Sequence, residues 1–115
     1  MPLRSESVVH ARVKRLPRGA KAFKADYYVR SVAGSPIILG RLKDPTTPSE
    51  RHLLVANHSY ANRAASRLTL TSAVREVHEI DPRTGARVPV ELGRTRELRF
   101  SLEPGRARLY VLGTG

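Results

Sequence analysis

The sequence predicts an all-β fold, an antiparallel β-sandwich of about eight strands preceded by an extended basic N-terminal lead-in. Three observations point to it. From residue 26 onward, short runs rich in β-branched and aromatic residues are separated by turn residues. Several of these runs alternate apolar and polar side chains with a period of two. Helical periodicity is nearly absent. The division that follows is a basic lead-in over residues 1–24 and a sandwich over residues 25–115.

The expected strands follow in order. Asp26 to Val32 (DYYVRSV) is the first, and Gly34-Ser35-Pro36 supplies a turn before Pro36 to Lys43 (PIILGRLK), so these two runs could pair as a hairpin. Two prolines make Asp44 to Glu50 a surface loop. Arg51 to His58 (RHLLVANH) reads as a central, well-buried strand, and Leu68 and Leu70 then alternate with Arg67, Thr69 and Thr71. Val74 to Ile80 leads into Asp81-Pro82-Arg83-Thr84-Gly85, the strongest hairpin turn in the chain, with Arg87 to Leu92 returning. Val88, Val90 and Leu92 alternate there, and Pro89 marks an edge strand because it cannot donate a ladder hydrogen bond. Leu98, Phe100 and Leu102 form the next apolar face. Glu103-Pro104-Gly105-Arg106 turns the chain into a last strand, where Ala107, Leu109 and Val111 alternate with Arg108, Tyr110 and Leu112.

Length and composition narrow the function. A chain of 115 residues is too short for a (β/α)₈ barrel, which needs at least about 200. With no cysteine, disulfides, thiol catalysis and Cys-based zinc sites are excluded. The net charge of +11 suggests an anionic partner, but it is unevenly spread: residues 1–43 hold ten basic and two acidic side chains, and residues 44–115 hold eleven and eight. Arginine outnumbers lysine seventeen to four, an excess that codon bias produces as readily as phosphate recognition does. The lead-in cations Arg12, Lys14, Arg15, Arg18, Lys21 and Lys24 are the candidates for anion or partner contact. Pro17 and Gly19 interrupt them, which disfavours a DNA-reading helix and nucleic acid as the partner. Met1 to Arg15 lacks the apolar stretch of a signal peptide, so nothing there directs export to a particular compartment, and the longest apolar-leaning run, Val32 to Gly40, is far short of a membrane span.

No motif for catalysis or a cofactor stands out. His10, His52, His58 and His78 fall in separate segments without ligand spacing, so no metal and no cofactor is expected. Glu76, Glu79 and Asp81 are read as a solvated strand edge and a turn opener rather than an acid–base pair. Asn57-His58-Ser59 fits a glycosylation acceptor pattern but reads as a strand end. Without tryptophan there is no evident aromatic platform for sugar stacking; carbohydrate contact would fall to Tyr27, Tyr28 and Tyr60, whose other reading is core and rim of the sandwich.

The order of these parts resembles the C-terminal β-sandwich that follows the catalytic barrel in many bacterial glycoside hydrolases and glycosidase-like proteins. Ser5-Glu6-Ser7-Val8-Val9-His10 with Leu16-Pro17-Arg18-Gly19 is similar to the barrel-to-sandwich connection, and Pro36 to Asp44 to the strand "apolar run, Gly, x, apolar, x, Asp". Leu53-Leu54-Val55-Ala56-Asn57-His58 resembles the "LLVxN" strand and Asp81 to Gly85 the "D-x-x-T-G" hairpin. Leu102 to Tyr110 looks like the terminal "L-x-P-G-x-x-x-L-Y" strand pair. Each piece alone is a generic β pattern, and the order over residues 5–112 carries the match.

The resemblance implies a non-catalytic accessory domain that packs its lead-in and one sheet face against a glycosidase catalytic domain, in cis or in trans. It supplies no catalytic residue, because the acids of such enzymes sit on barrel strands. Met1 stands just before the sandwich, which the resemblance reads as a separate small protein or as a piece of a larger one. Two other expectations stay open: a free-standing carbohydrate-binding module taking polysaccharide, and a basic nucleic-acid-binding protein. The accessory reading carries its own requirement, an exposed apolar patch on the isolated domain.

Overall fold

The alternating runs become nine antiparallel strands in a computed structural model that describes residues 4–12, 28–43, 45–47, 49–59 and 61–114. The strands are β1 (Arg4–Ala11), β2 (Val29–Gly34), β3 (Ile37–Lys43), β4 (Glu50–Asn57), β5 (Ala64–Leu70), β6 (Glu76–Ile80), β7 (Arg87–Val90), β8 (Glu97–Leu102) and β9 (Ala107–Gly113). They form a six-stranded sheet in the order β1-β3-β4-β9-β6-β7 and a three-stranded sheet in the order β2-β5-β8. The all-β sandwich-like class is therefore as expected, with one strand more. The addition is β1, drawn from the lead-in, which pairs with β3 from Arg4↔Lys43 to Ala11↔Ile37 and slips register between Ser5 and Ser7.

The core lies between the sheets. The large sheet contributes Ile37, Leu39, Leu53, Val55, Val77, Tyr110 and Leu112; the small sheet contributes Val29, Leu68, Leu70, Leu98, Phe100 and Leu102. The Phe100 and Tyr110 rings meet across the gap with centroids 6.3 Å apart. Burial pushes the Tyr110 hydroxyl up to about 12, with the Glu79 carboxylate adding to the effect.

Local chemistry explains the turns. In the β6–β7 hairpin the Asp81 carboxylate accepts from Arg83 N at 2.8 Å, the Gly85 N–H donates to Asp81 O at 2.8 Å, and Gly85 takes φ 73°. Pro89 lies on the edge strand β7, and β4 is central, both as the sequence indicates. Val88, however, is 51% exposed although it shares the inward face with Val90. Six strands span roughly 24 Å and three only roughly 10 Å, so the small sheet cannot reach the outermost strand.

The pairing that the Gly34-Ser35-Pro36 turn allows does not form. The runs around Gly34-Ser35-Pro36 are no hairpin: β2 pairs with β5 and β3 pairs with β1 and β4, so this link carries the chain from one sheet to the other. Gly34, at φ 101°, sits so close to β5 that an added Cβ would lie 2.4 Å from Ala65 O, and Ser35 N donates to that same oxygen at 3.1 Å. The terminal strands β8 and β9 are likewise in different sheets. Their link is a tight turn in which Arg106 N donates to Glu103 O at 3.0 Å and Gly105 adopts φ 68° after Pro104, the pattern of a type II turn.

Candidate functional site

Of the lead-in cations, Arg12 alone lies among the described residues. It follows β1 at φ 63°, and its Nε donates to Gly34 O at 3.4 Å, joining the edge of the large sheet to the end of β2. Lys14, Arg15, Arg18, Lys21 and Lys24 lie outside the described residues, as do Tyr27 and Tyr60. Tyr28 is half-buried against the core, and the Arg51 guanidinium carbon stands 5.9 Å from its ring centroid. That ring makes a cation–π contact within the protein.

Four of the described carboxylates are engaged in ion pairs. Arg87 pairs with Glu50 at 2.5 Å and 3.0 Å, Arg108 with Glu79 at 3.1 Å, Arg99 with Glu97 at 3.1 Å, and Arg63 with Glu103. The Arg87 guanidinium holds the Glu50 carboxyl below its ordinary range, against a smaller opposing effect of burial. Asp81 caps its own turn. The buried Asn57 amide donates to Asn62 O at 2.7 Å and to Leu102 O and Glu103 O at 3.2 Å each, while its Oδ1 accepts from Ser59 N at 2.9 Å. A side chain held on four sides is a structural tie between the sheets, not a glycan acceptor.

Register places His10, His52 and His78 on the outer face of the large sheet, and His58 follows the end of β4. His52 and His78 both lie opposite Val111, one on each side of β9. His10 and His58 meet edge to face with ring centroids 5.3 Å apart. Among the described residues no group of three side chains could hold a metal ion.

Two faces have the character of interaction surfaces. The first is the outer face of the large sheet, where the second apolar set of the central strands points. In β3 and β4 the core takes Ile37, Leu39, Leu53 and Val55, and the alternate positions present Ile38, Leu42, Leu54 and Ala56 outward. Val8, Gly40, Leu54 and Leu109 align across four strands, with Val8 50% and Leu54 37% exposed, and Gly40 forms a notch between them. Val111 is buried yet is no part of the intersheet core. Apolar residues at both parities in residues 37–42, 53–56 and 109–112 are the sequence signal for this face.

The second is an open groove of about 610 Å³ on the small sheet, lined by Ala33 and Gly34 of β2, Ala65, Ser66 and Arg67 of β5, and Arg99, Phe100 and Ser101 of β8. Its arginines lie outside the lead-in cluster that the charge distribution singles out. The relevant signal, Arg67 and Arg99 on the polar parity of two strands, becomes visible only once β5 and β8 are known to pair.

No family model, no curated protein and no solved structure matches this chain. None of the described residues forms a helix long and apolar enough to cross a membrane.

Proposed function

We propose that this chain is a non-catalytic accessory β-sandwich whose work is packing, with the outer face of its six-stranded sheet docking on the catalytic barrel of a glycoside hydrolase-like protein. The observation that carries the reading is the double-sided apolar character of β3, β4 and β9. An antiparallel sheet with one face in water alternates apolar and polar residues, whereas strands apolar at both parities belong to sheets covered on both sides. The small sheet covers one side. Complete burial of a Val or Leu side chain from full exposure is worth about 1.5–3 kcal/mol, and covering Val8 and Leu54, 50% and 37% exposed, supplies the remaining fraction of that. The choice of a barrel rests on the resemblance in strand order. In this reading Glu50, Glu79, Glu97 and Glu103 serve as ion-pair partners of arginines.

The test uses the full chain and a variant of its most central exposed apolar residue. The wild type is expected to bind an apolar-surface dye and to self-associate in sedimentation velocity, and Leu54→Lys to abolish both while unfolding within about 0.5 kcal/mol of wild type. A monomer that binds no dye would overturn the docking face. For the partner, a glycosidase barrel encoded in frame ahead of Met1 or in an adjoining gene should co-elute with the wild type and not with Leu54→Lys. Separate elution of that barrel from the wild type, or no such barrel, would overturn the barrel assignment.

A further inference from the structure

We propose that the groove on the outer face of the three-stranded sheet binds a carboxylate-bearing glycan, a chain containing uronate residues, with Arg67 and Arg99 as its anion contacts. This site lies on the opposite side of the sandwich from the docking face and is independent of it.

The first observation is a like-charge confrontation. Arg67 of β5 and Arg99 of β8 are directly opposed in register, and Ala33 of β2 completes the row. Two cations facing each other across a ladder destabilise a sheet unless an anion lies between them. Glu97 meets Arg99 from two residues away on the same strand, at 3.1 Å from Nη2, but no carboxylate among the described residues pairs with Arg67. Arg12, which does not line the groove, donates from Nε to O of the lining residue Gly34 at 3.4 Å.

The second observation is the lining. Between the arginines the walls and floor are small: Ala33, Gly34, Ala65 and Ser101, with Phe100 only 7% exposed. With no ring presented there is nothing on which a neutral pyranose or a nucleic-acid base can stack, which removes the usual recognition of neutral sugars and of single strands. A duplex is too wide for a depression of 610 Å³, a volume that suits a short stretch of a narrow chain. What the groove offers is forked guanidinium donors, which match carboxylates bidentately, and the exposed Ser101 hydroxyl for a sugar hydroxyl.

Affinity electrophoresis of the full chain through polygalacturonate decides the matter, with neutral galactan, single-stranded DNA and duplex DNA as parallel gels. Polygalacturonate is expected to retard the wild type and galactan to leave it unaffected. The double variant Arg67→Gln/Arg99→Gln should bind at least about tenfold more weakly, the loss expected of two charge-assisted contacts. Arg83→Gln/Arg106→Gln removes the same charge from the β6–β7 and β8–β9 turns and should stay near wild type. Ala65→Leu fills the groove without changing charge and should also weaken retardation, with circular dichroism confirming the fold of each variant. Absence of retardation, equal losses in the two double variants, undiminished binding by Ala65→Leu, or groove-dependent retardation by DNA of similar strength would each overturn the proposal.

Discussion

Asn57 is the residue on which the two sheets most visibly depend. It ends β4 in the large sheet, yet its amide reaches carbonyls at the entry to β5 and at the exit of β8, both elements of the small sheet. Two N–H groups serve three carbonyl oxygens, so one hydrogen is shared. Removing the amide leaves buried carbonyls and the Ser59 N–H without this partner, each worth on the order of 1–3 kcal/mol when unsatisfied. Asn57→Ala is therefore expected to lower the unfolding free energy by about 2–4 kcal/mol in urea, and Asn57→Asp by a comparable amount because the carboxylate cannot donate. A loss below about 0.5 kcal/mol for both would show that water replaces the amide at no cost. In the sequence, Asn57 reads as a turn former, since nothing local indicates that its partners lie at residues 62, 102 and 103.

At the scale of the element, what was legible is what local chemistry decides. The Asp81 to Gly85 turn, the edge position of the Pro89 strand and the alternate burial of Leu98, Phe100 and Leu102 all follow from residues within a few positions of one another. Pairing partners were not legible, because alternation fixes which face a side chain takes and leaves the neighbouring strand open. Hence Gly34-Ser35-Pro36 suits a hairpin as well as the crossing between sheets that forms. The first strand was hidden for another reason: Arg4-Ser5-Glu6-Ser7 is polar, as edge strands are when charge guards their open side. The same locality explains the candidate site. The apolar outer face could be read from both-parity runs, whereas the groove needed the β5–β8 register. Two glycines give this distinction a measurable form. Gly85→Ala meets nothing within 4 Å and pays only for its positive φ, about 1–2 kcal/mol; Gly34→Ala adds contacts of 2.4 Å and 2.8 Å with the β5 backbone. Gly34→Ala should therefore be clearly the more destabilising in parallel denaturant titrations. Equal losses would mean that β2 can shift away from β5 freely and that the crossing is not held by that approach.

For the whole molecule the governing quantity is the imbalance of charge. Twenty-one basic side chains are offset by ten acidic ones, and the described glutamate–arginine pairs Glu50–Arg87 and Glu79–Arg108 link strands of the large sheet while Arg63–Glu103 ties the segments before β5 and after β8. Glu50 in β4 and Arg87 in β7 span the large sheet, and the guanidinium depresses the Glu50 carboxyl from its usual value of 4.5. The sign follows from linkage: a carboxyl whose pKa is lower in the folded state stabilises the fold above its unfolded pKa, and that contribution fades as pH falls through the folded pKa. Acid thus removes the favourable Glu50–Arg87 pair while leaving every arginine charged, so repulsion grows as it disappears. Thermal unfolding followed at low ionic strength is expected to show a midpoint that is steady near neutrality and falls steeply below about pH 4.5, with added salt restoring part of the loss by screening. Glu50→Gln should lower the midpoint at pH 7 and flatten its fall in acid, because the side chain that loses its charge on acidification is already neutral. An acid limb of unchanged slope in Glu50→Gln would remove this pair from the account and leave the general loss of carboxylate charge as the cause.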